Sequence, residues 1–133
     1  LMVTSEKNPG VLDYQDAVIG PITYDIVSLL KDCYVAWDDE TIYSMTSSFF
    51  SKIEKRHEIV YDEFEYWFDI TGLQRHLKAI GIFSRLNYRD NKSNYLDDIP
   101  RTLNYITKIL SKYSELSELK RIFSEINLDN TYD

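Results

Sequence analysis

The hydrophobic positions divide the chain into a short opening with strand character and a long helical remainder. Residues 1–4 and 11–14 are short apolar stretches, and the residues between them are rich in turn formers, which predicts a small β-hairpin. After Pro21 the apolar side chains recur every three or four positions, as they do in amphipathic helices. The pattern therefore predicts a mainly α fold that is opened by one small β-hairpin.

The first predicted helix carries an acid on the same side as its apolar residues. Asp25 comes three residues after Ile22 and four before Leu29, so it shares their face. A carboxylate at such a position is costly unless it finds a partner. The apolar positions of this segment continue at helical spacing and are Ile22, Ile26, Leu29, Leu30, Cys33 and Trp37.

Further helices follow along the rest of the chain. They are predicted over residues 38–57, 62–88, about 100–110 and 115–126, and residues 89–94 are predicted as a loop. The acids at 38–40 suit the start of a helix because they complement its dipole. Pro100 suits a first helical turn, with Asp97 and Asp98 before it as candidate caps. The helix over 62–88 is apolar on more than one side, which predicts a central position.

The composition of the chain argues against some classes of binding partner. The chain has 133 residues, of which 44% are hydrophobic, and a net charge of −7, so it fits one acidic folded domain. Duplex nucleic acid and anionic membranes require clustered Lys and Arg, so neither is an expected partner. A phosphate ligand stays compatible with this charge if Mg²⁺ accompanies it. Cys33 is the single cysteine, and no secretory leader is apparent, which predicts a cytoplasmic protein.

Two carboxylates stand around the end of the second predicted strand. Asp13 directly follows the apolar pair Val11 and Leu12, and Asp16 comes three residues later. A strand that ends in aspartate holds the carboxylate rigidly, which suits Mg²⁺ because this ion prefers oxygen ligands in a fixed geometry. An aspartate that merely caps a turn gives the same pattern.

Several segments resemble the aminoglycoside phosphotransferase and choline kinase-like family. The resemblance begins with V-L-D-Y-Q-D-A at 11–17, G-P at 20–21 and Y-D-I-V-S-L-L at 24–30. It continues with G-L-Q-R-H-L-K-A-I-G-I-F at 72–83, Y-R-D at 88–90 and Y-L-D-D-I-P-R at 95–101. The later segments are most similar to the bacterial kinases that phosphorylate the cell-wall amino sugars N-acetylmuramate and N-acetylglucosamine.

This resemblance implies ATP and Mg²⁺ as cofactors and a role for several residues. Asp13 would correspond to the metal-binding aspartate of the D-F-G motif in protein kinases. Gln15 and Asp16 lie near enough in sequence to contact metal, water or sugar. Asp25 would brace the catalytic loop by accepting backbone N–H bonds. The helices after Asp38 would form the acceptor pocket.

Two polar residues of the central helix have two interpretations. Arg75 and His76 lie among core positions, where they would be half-buried groups bonded to neighbouring helices, or they would face the sugar pocket. The second interpretation rests on the resemblance. Arg75, His76 or Arg101 in the pocket would favour a neutral or anionic sugar over a cationic acceptor.

The family's catalytic loop, H-x-D-x-H-x-x-N, is not found in this chain. His57 and His76 begin no such motif, and no glycine-rich phosphate loop is present. The resemblance therefore implies that residues 1–133 form the substrate-side, C-terminal lobe of a protein-kinase-like fold. The catalytic base would lie upstream of Leu1, and the chain alone would be inactive. Its partner would be the N-terminal nucleotide lobe of the same protein, and an apolar docking patch would also favour dimers of the isolated chain.

Two other functions fit the same residues. The acceptor could be an aminoglycoside or a choline-type amino alcohol, which would need an acidic pocket. The chain could instead be a non-catalytic helical interaction module. Binding of Mg²⁺ or nucleotide that depends on Asp13 would argue against the second alternative.

Overall fold

The computed structural model describes residues 2–10 and 18–125, which are mainly helical and include one antiparallel bridge near the start. Met2 and Gly10 exchange both backbone hydrogen bonds, with N···O distances of 2.9 and 2.8 Å. The chain reversal is therefore present, as a single bridge in the described part of the chain. The second predicted strand, at 11–14, lies outside the described residues. The mainly α prediction is confirmed.

Helix α1 spans Tyr24–Leu30, which is shorter than the apolar spacing predicts. The prediction that its stripe continues to Cys33 and Trp37 is wrong, because both lie beyond the last turn. The side chain of Asp32 accepts hydrogen bonds from the backbone N–H groups of Tyr34 and Val35, at 2.6 and 3.2 Å. Such a turn competes with helical hydrogen bonding, so the helix ends before it.

Helix α2 spans Asp39–His57 and begins as predicted. The side chain of Asp38 accepts a hydrogen bond from the backbone N–H of Thr41 at 2.7 Å, which caps the helix. Asp39 and Glu40 add negative charge in the first turn, next to the positive end of the helix dipole. The helix ends at Glu58, which takes a left-handed conformation with φ of 52°.

The central helix, α3, spans Tyr61–Asp90 and is 30 residues long. It extends into the segment predicted as a loop, and Asn91 ends it in a left-handed conformation. A short 3-10 helix, Ser93–Asp98, connects it to α4, which spans Ile99–Lys112. Pro100 lies in the first turn of α4 as predicted, but the Asp98 side chain makes no capping hydrogen bond.

The last helix, α5, spans Ser117–Glu125 and follows the 3-10 turn Ser114–Leu116. In the described part of the chain, no helix combines the length and the apolar character needed to cross a membrane.

Two groups of buried side chains surround α3. On one side Leu73 packs with Ile106, Ile109 and Leu110 of α4. On the other, Phe68 packs with Val27 and Leu30 of α1. The central position predicted for this helix from its broad apolar surface is therefore correct. It also means that side chains on α3 face the end of α1 and the segment that follows it.

Candidate functional site

The sequence-predicted metal site lies outside the described residues. This applies to Asp13, Gln15 and Asp16, so their predicted roles stay predictions. Within residues 2–10 and 18–125, no group of three His, Cys, Asp or Glu side chains is placed to hold a metal ion.

Asp25 lies on the open side of α1. The buried side of this helix consists of Thr23, Val27 and Leu30, and the hydroxyl oxygens of Thr23 and Thr71 are 2.9 Å apart. Asp25 itself is exposed, and so are Ile22 and Leu29. The expectation that the Ile22 and Leu29 side of α1 is the buried one is wrong, because the other side packs on α3. Asp25 shares an apolar face that stays open in this structure.

Arg75 and His76 border one cavity of about 220 Å³, which lies between the end of α1, the segment after it and α3. It is called the smaller cavity below, because a larger one lies next to it. Its lining residues are Ser28, Lys31, Asp32, Cys33, Tyr34, Arg75, His76, Ala79, Ile82 and Phe83. The structure therefore brings together the two residues of α3 that the sequence singles out.

Arg75 is half-buried and held over an aromatic ring. Its guanidinium carbon lies 4.7 Å from the ring centroid of Tyr24, a cation–π contact between α3 and α1. Among the described residues, no carboxylate oxygen lies within salt-bridge distance of Arg75. Its hydrogen-bond donors are thus oriented by stacking and are not used by an acidic partner in this part of the chain.

His76 is buried, with 1% of its surface exposed. Its Nε2–H donates to the backbone carbonyl of Lys31 at 2.9 Å, which satisfies a carbonyl at the C-terminal end of α1. The ring stacks on Tyr105 at 4.8 Å, and Nδ1 has no partner within the described residues. Burial lowers the pKa of His76, so the imidazole is neutral at neutral pH. The contacts of His76 are those of a residue that holds α1 in place.

Arg101, the third cation considered for the pocket, is bound to backbone. It donates to the carbonyl oxygens of Cys33 and Tyr34 at 2.9 and 3.0 Å, and Asp98 lies 3.5 Å away. These bonds fix the segment that carries Tyr34 into the smaller cavity. Arg101 therefore shapes the cavity from outside and does not line it.

A larger cavity of about 520 Å³ lies between α2 and the pair formed by α3 and α4. Its walls combine aromatic, acidic and basic groups, and they include Tyr43, Tyr61, Tyr105, Asp39, Glu65, Lys108 and Lys112. It shares Lys31 and His76 with the smaller cavity. These two residues thus form part of the wall between the two spaces.

An ion-pair cluster at the floor of the larger cavity was not predicted from the sequence. Asp69 accepts hydrogen bonds from Lys31 at 2.6 Å, from Lys112 at 2.7 Å and from the hydroxyl of Tyr113 at 2.9 Å. Burial alone would raise the pKa of Asp69, but the charge of Lys31 and these hydrogen bonds hold it below its ordinary value. Burial and the bond to Asp69 raise the pKa of Tyr113 to about 12. The cluster joins α1, α3 and the end of α4.

A sequence signal for this cluster exists. Asp69 stands between Phe68 and Ile70 in an apolar stretch of α3. A carboxylate there needs partners. The partners lie 38 to 44 residues away in sequence, so spacing alone does not name them.

Comparison with known proteins extends the resemblance. Residues 1–58 match the phosphotransferase enzyme family. Over 129 residues, 95% of this chain, the chain is 44% identical to an N-acetylmuramate/N-acetylglucosamine kinase of Neisseria meningitidis serogroup B. It is 41% identical over 94% of its length to a protein of the same name from Pseudomonas putida, and 38% identical to one from Pseudomonas aeruginosa. No solved structure matches.

The chain spans 38% of the length of each of these three curated relatives. The similarity covers almost all of this chain and so includes the residues that line the smaller cavity. The comparisons thus confirm the resemblance found in the sequence: residues 1–58 match the phosphotransferase enzyme family, and the chain is similar along most of its length to N-acetylmuramate/N-acetylglucosamine kinases.

Proposed function

We propose that this chain is the acceptor-side lobe of a kinase that uses ATP and Mg²⁺ to phosphorylate a cell-wall amino sugar, N-acetylmuramate or N-acetylglucosamine. The observation that carries the proposal is 38–44% identity to kinases with these names over 94–95% of the chain. The expected site of action is the cytoplasm, where ATP is available.

Asp13 is the proposed ligand of Mg²⁺. Its assignment rests on the position of the residue in V-L-D-Y-Q-D-A, within the segment that matches the phosphotransferase enzyme family. Bound Mg²⁺ would offset the charge of the phosphates during transfer. Gln15 and Asp16 are proposed to contact the metal, its water or the sugar. The catalytic base is expected in a part of the protein outside these 133 residues.

Asp25 is proposed to support the catalytic loop. Its carboxylate lies on the open face of α1, where it can accept backbone N–H bonds from a segment that packs there. Ile22 and Leu29 flank it on this face and are exposed. A carboxylate between two apolar side chains suits a loop that buries its backbone against the helix and needs an acceptor for its N–H groups.

The exposed apolar side chains around α1 are proposed to dock the nucleotide lobe of the same protein. Val18 and Ile19 precede the helix, and Tyr34 and Val35 follow it, and all four are exposed. Exposed apolar side chains of this kind suit an interaction site. The same surface would favour dimers of the isolated chain.

The smaller cavity is the proposed acceptor side of the site. It contains the half-buried guanidinium of Arg75, the buried ring of His76 and the exposed ring of Tyr34. Arg75 has no acidic partner among the described residues, which favours a neutral or anionic sugar over a cationic aminoglycoside or choline. His76 would hold the wall of the smaller cavity in place through its bond to the carbonyl of Lys31.

The test is ATP consumption by the full-length protein with N-acetylmuramate, N-acetylglucosamine, an aminoglycoside and choline as separate acceptors. We expect turnover with the two sugars and its loss in Asp13→Asn. Glu63→Gln removes an exposed acid of α3 and is the matched control, which should stay active. Turnover with the aminoglycoside or choline alone would show that the acceptor is a cationic amine and not a cell-wall sugar. No turnover from a folded protein would favour the non-catalytic module.

A further inference from the structure

We propose that Arg75 binds the carboxylate of an acidic sugar acceptor and thereby sets the preference for N-acetylmuramate over N-acetylglucosamine. The inference rests on the proposed function, since it assumes that these sugars are acceptors. The two sugars share a pyranose ring and an N-acetyl group. N-acetylmuramate carries in addition a lactyl ether with a carboxylate, so one well-placed cation is enough to distinguish them.

The smaller cavity leaves Arg75 as the cation that is available for an anion. The ammonium group of Lys31, which also lines this space, is bound to Asp69 at 2.6 Å. His76 is buried and neutral, and its Nε2–H is used by a carbonyl. Neither group can take a new carboxylate without breaking an existing contact.

The acid in this cavity does not neutralise Arg75. Asp32 lines the same space, but its carboxylate accepts hydrogen bonds from the backbone N–H groups of Tyr34 and Val35. Its oxygens lie beyond salt-bridge distance of the guanidinium. Among the described residues, the donors of the guanidinium are therefore not used by an acid and can serve a ligand.

Arg75 is also oriented before a ligand arrives. The ring of Tyr24 lies 4.7 Å below the guanidinium, and the half-buried stem is held on α3. A stacked guanidinium can bind a carboxylate through two parallel N–H···O bonds with little further loss of rotamer freedom. An oriented, half-buried arginine is thus better suited to recognise a carboxylate than an exposed lysine.

The rest of the cavity suits the part that both sugars share. Ala79, Ile82 and Phe83 form an apolar wall that can pack against a ring face or a methyl group. The exposed side chain of Tyr34 borders the same space and can hydrogen-bond to a hydroxyl group. These contacts would bind both sugars equally, so the difference between them falls on Arg75.

The experiment measures kcat/KM of the full-length protein for both sugars, in the wild type and in Arg75→Gln. We expect the ratio of N-acetylmuramate to N-acetylglucosamine to fall about tenfold or more, the loss of one charge-assisted hydrogen bond or a pair of them. The value for N-acetylglucosamine should change much less. Arg75→Lys keeps the charge but loses the two-pronged geometry, so we expect an intermediate ratio.

Two further variants locate the effect. Arg85→Gln removes an exposed arginine of the same helix and should leave the ratio unchanged. Lys108→Gln removes a cation from the larger cavity. A shift of the ratio in Lys108→Gln, with none in Arg75→Gln, overturns the assignment and moves the carboxylate to the larger cavity.

Equal loss for both sugars in Arg75→Gln also overturns the inference, because it indicates a structural role for the Tyr24 contact. If Arg75→Gln does not fold, Arg75→Lys decides, and an unchanged ratio there refutes the proposal. If the wild type turns over both sugars and the Arg75 variants keep the same ratio of kcat/KM, this inference is refuted but the proposed function stands. Absence of turnover with either sugar in the wild type removes the proposed function and the inference together.

Discussion

Removal of the Asp69 carboxylate should destabilise the fold more than removal of any one of its partners. The side chains of Asp69 and Lys31 are 8% and 9% exposed, so Asp69→Ala leaves the Lys31 ammonium buried without its counter-ion. Breaking a buried pair in this way typically costs about 3–5 kcal/mol. Lys112 is 41% exposed and can be solvated again, so we expect a total near 3 kcal/mol.

The partners provide a graded comparison. Lys112→Ala leaves Asp69 with Lys31 and Tyr113, so its cost should resemble that of an exposed pair, about 0–1 kcal/mol. Tyr113→Phe removes one hydroxyl donor and should cost about 1 kcal/mol. Urea unfolding of the 133-residue chain, followed by far-UV circular dichroism, measures all three, and equal slopes would show that only stability changed.

The same variants predict a pH dependence. The folded-state pKa of Asp69 is lowered by Lys31 and the hydrogen bonds, although burial opposes this. The stability supplied by the ionised carboxylate is therefore present above the unfolded-state pKa, near 4, and is lost as pH falls through the lower folded-state value. The difference between wild type and Asp69→Ala should narrow between pH 6 and pH 3. A constant difference, or a cost for Asp69→Ala no larger than for Lys112→Ala, would refute the reasoning.

Further predictions concern two glycines and one histidine of α3. A Cβ on Gly72 would lie 2.8 Å from Cδ of Lys31, so Gly72→Ala should destabilise the fold by about 1–2 kcal/mol. A Cβ on Gly81 would meet nothing within 4 Å, so Gly81→Ala should stabilise the fold by about 0.5–1 kcal/mol. Urea unfolding measures both changes. The opposite order would contradict the packing of Lys31 on α3. The lowered pKa of buried His76 means that stability is full above pH 6.5 and falls below it, as the unfolded state binds the proton first. As pH is lowered from 7.5 to 5.5, the urea midpoint should therefore fall in the wild type and change less in His76→Gln. The same change of midpoint with pH in both proteins would contradict the lowered pKa.

The helices that local sequence determines were predictable. Asp38 and the acids after it mark the start of α2, and Pro100 marks the first turn of α4, because caps and proline act within a few residues. The length of α1 was not predictable from apolar spacing. The turn built by the Asp32 side chain ends the helix, although Cys33 and Trp37 continue its periodicity.

For the described part of the candidate site, the sequence singles out Arg75 and His76 but leaves two interpretations of each. Arg75 and His76 are adjacent in sequence, and the structure places both on one cavity. Only the contacts separate them: Arg75 lies over an aromatic ring with its donors available, and His76 is bonded to the backbone of Lys31. The cluster around Asp69 required the fold itself, because its members come from α3, from the residue after α1 and from the end of α4.

The packing of α2 has a consequence for motion. Its C-terminal half is anchored by aromatic contacts, with Phe50 lying 5.2 and 5.4 Å from the ring centroids of Tyr61 and Phe64. Its N-terminal half, which includes Asp39 and Tyr43, borders the larger cavity. On its inner side the same half is held by Ile42, which packs against the buried group of Val27, Leu30 and Phe68. The helix is thus held near both ends, and any widening of the larger cavity would have to break the contact of Ile42 with α1 and α3.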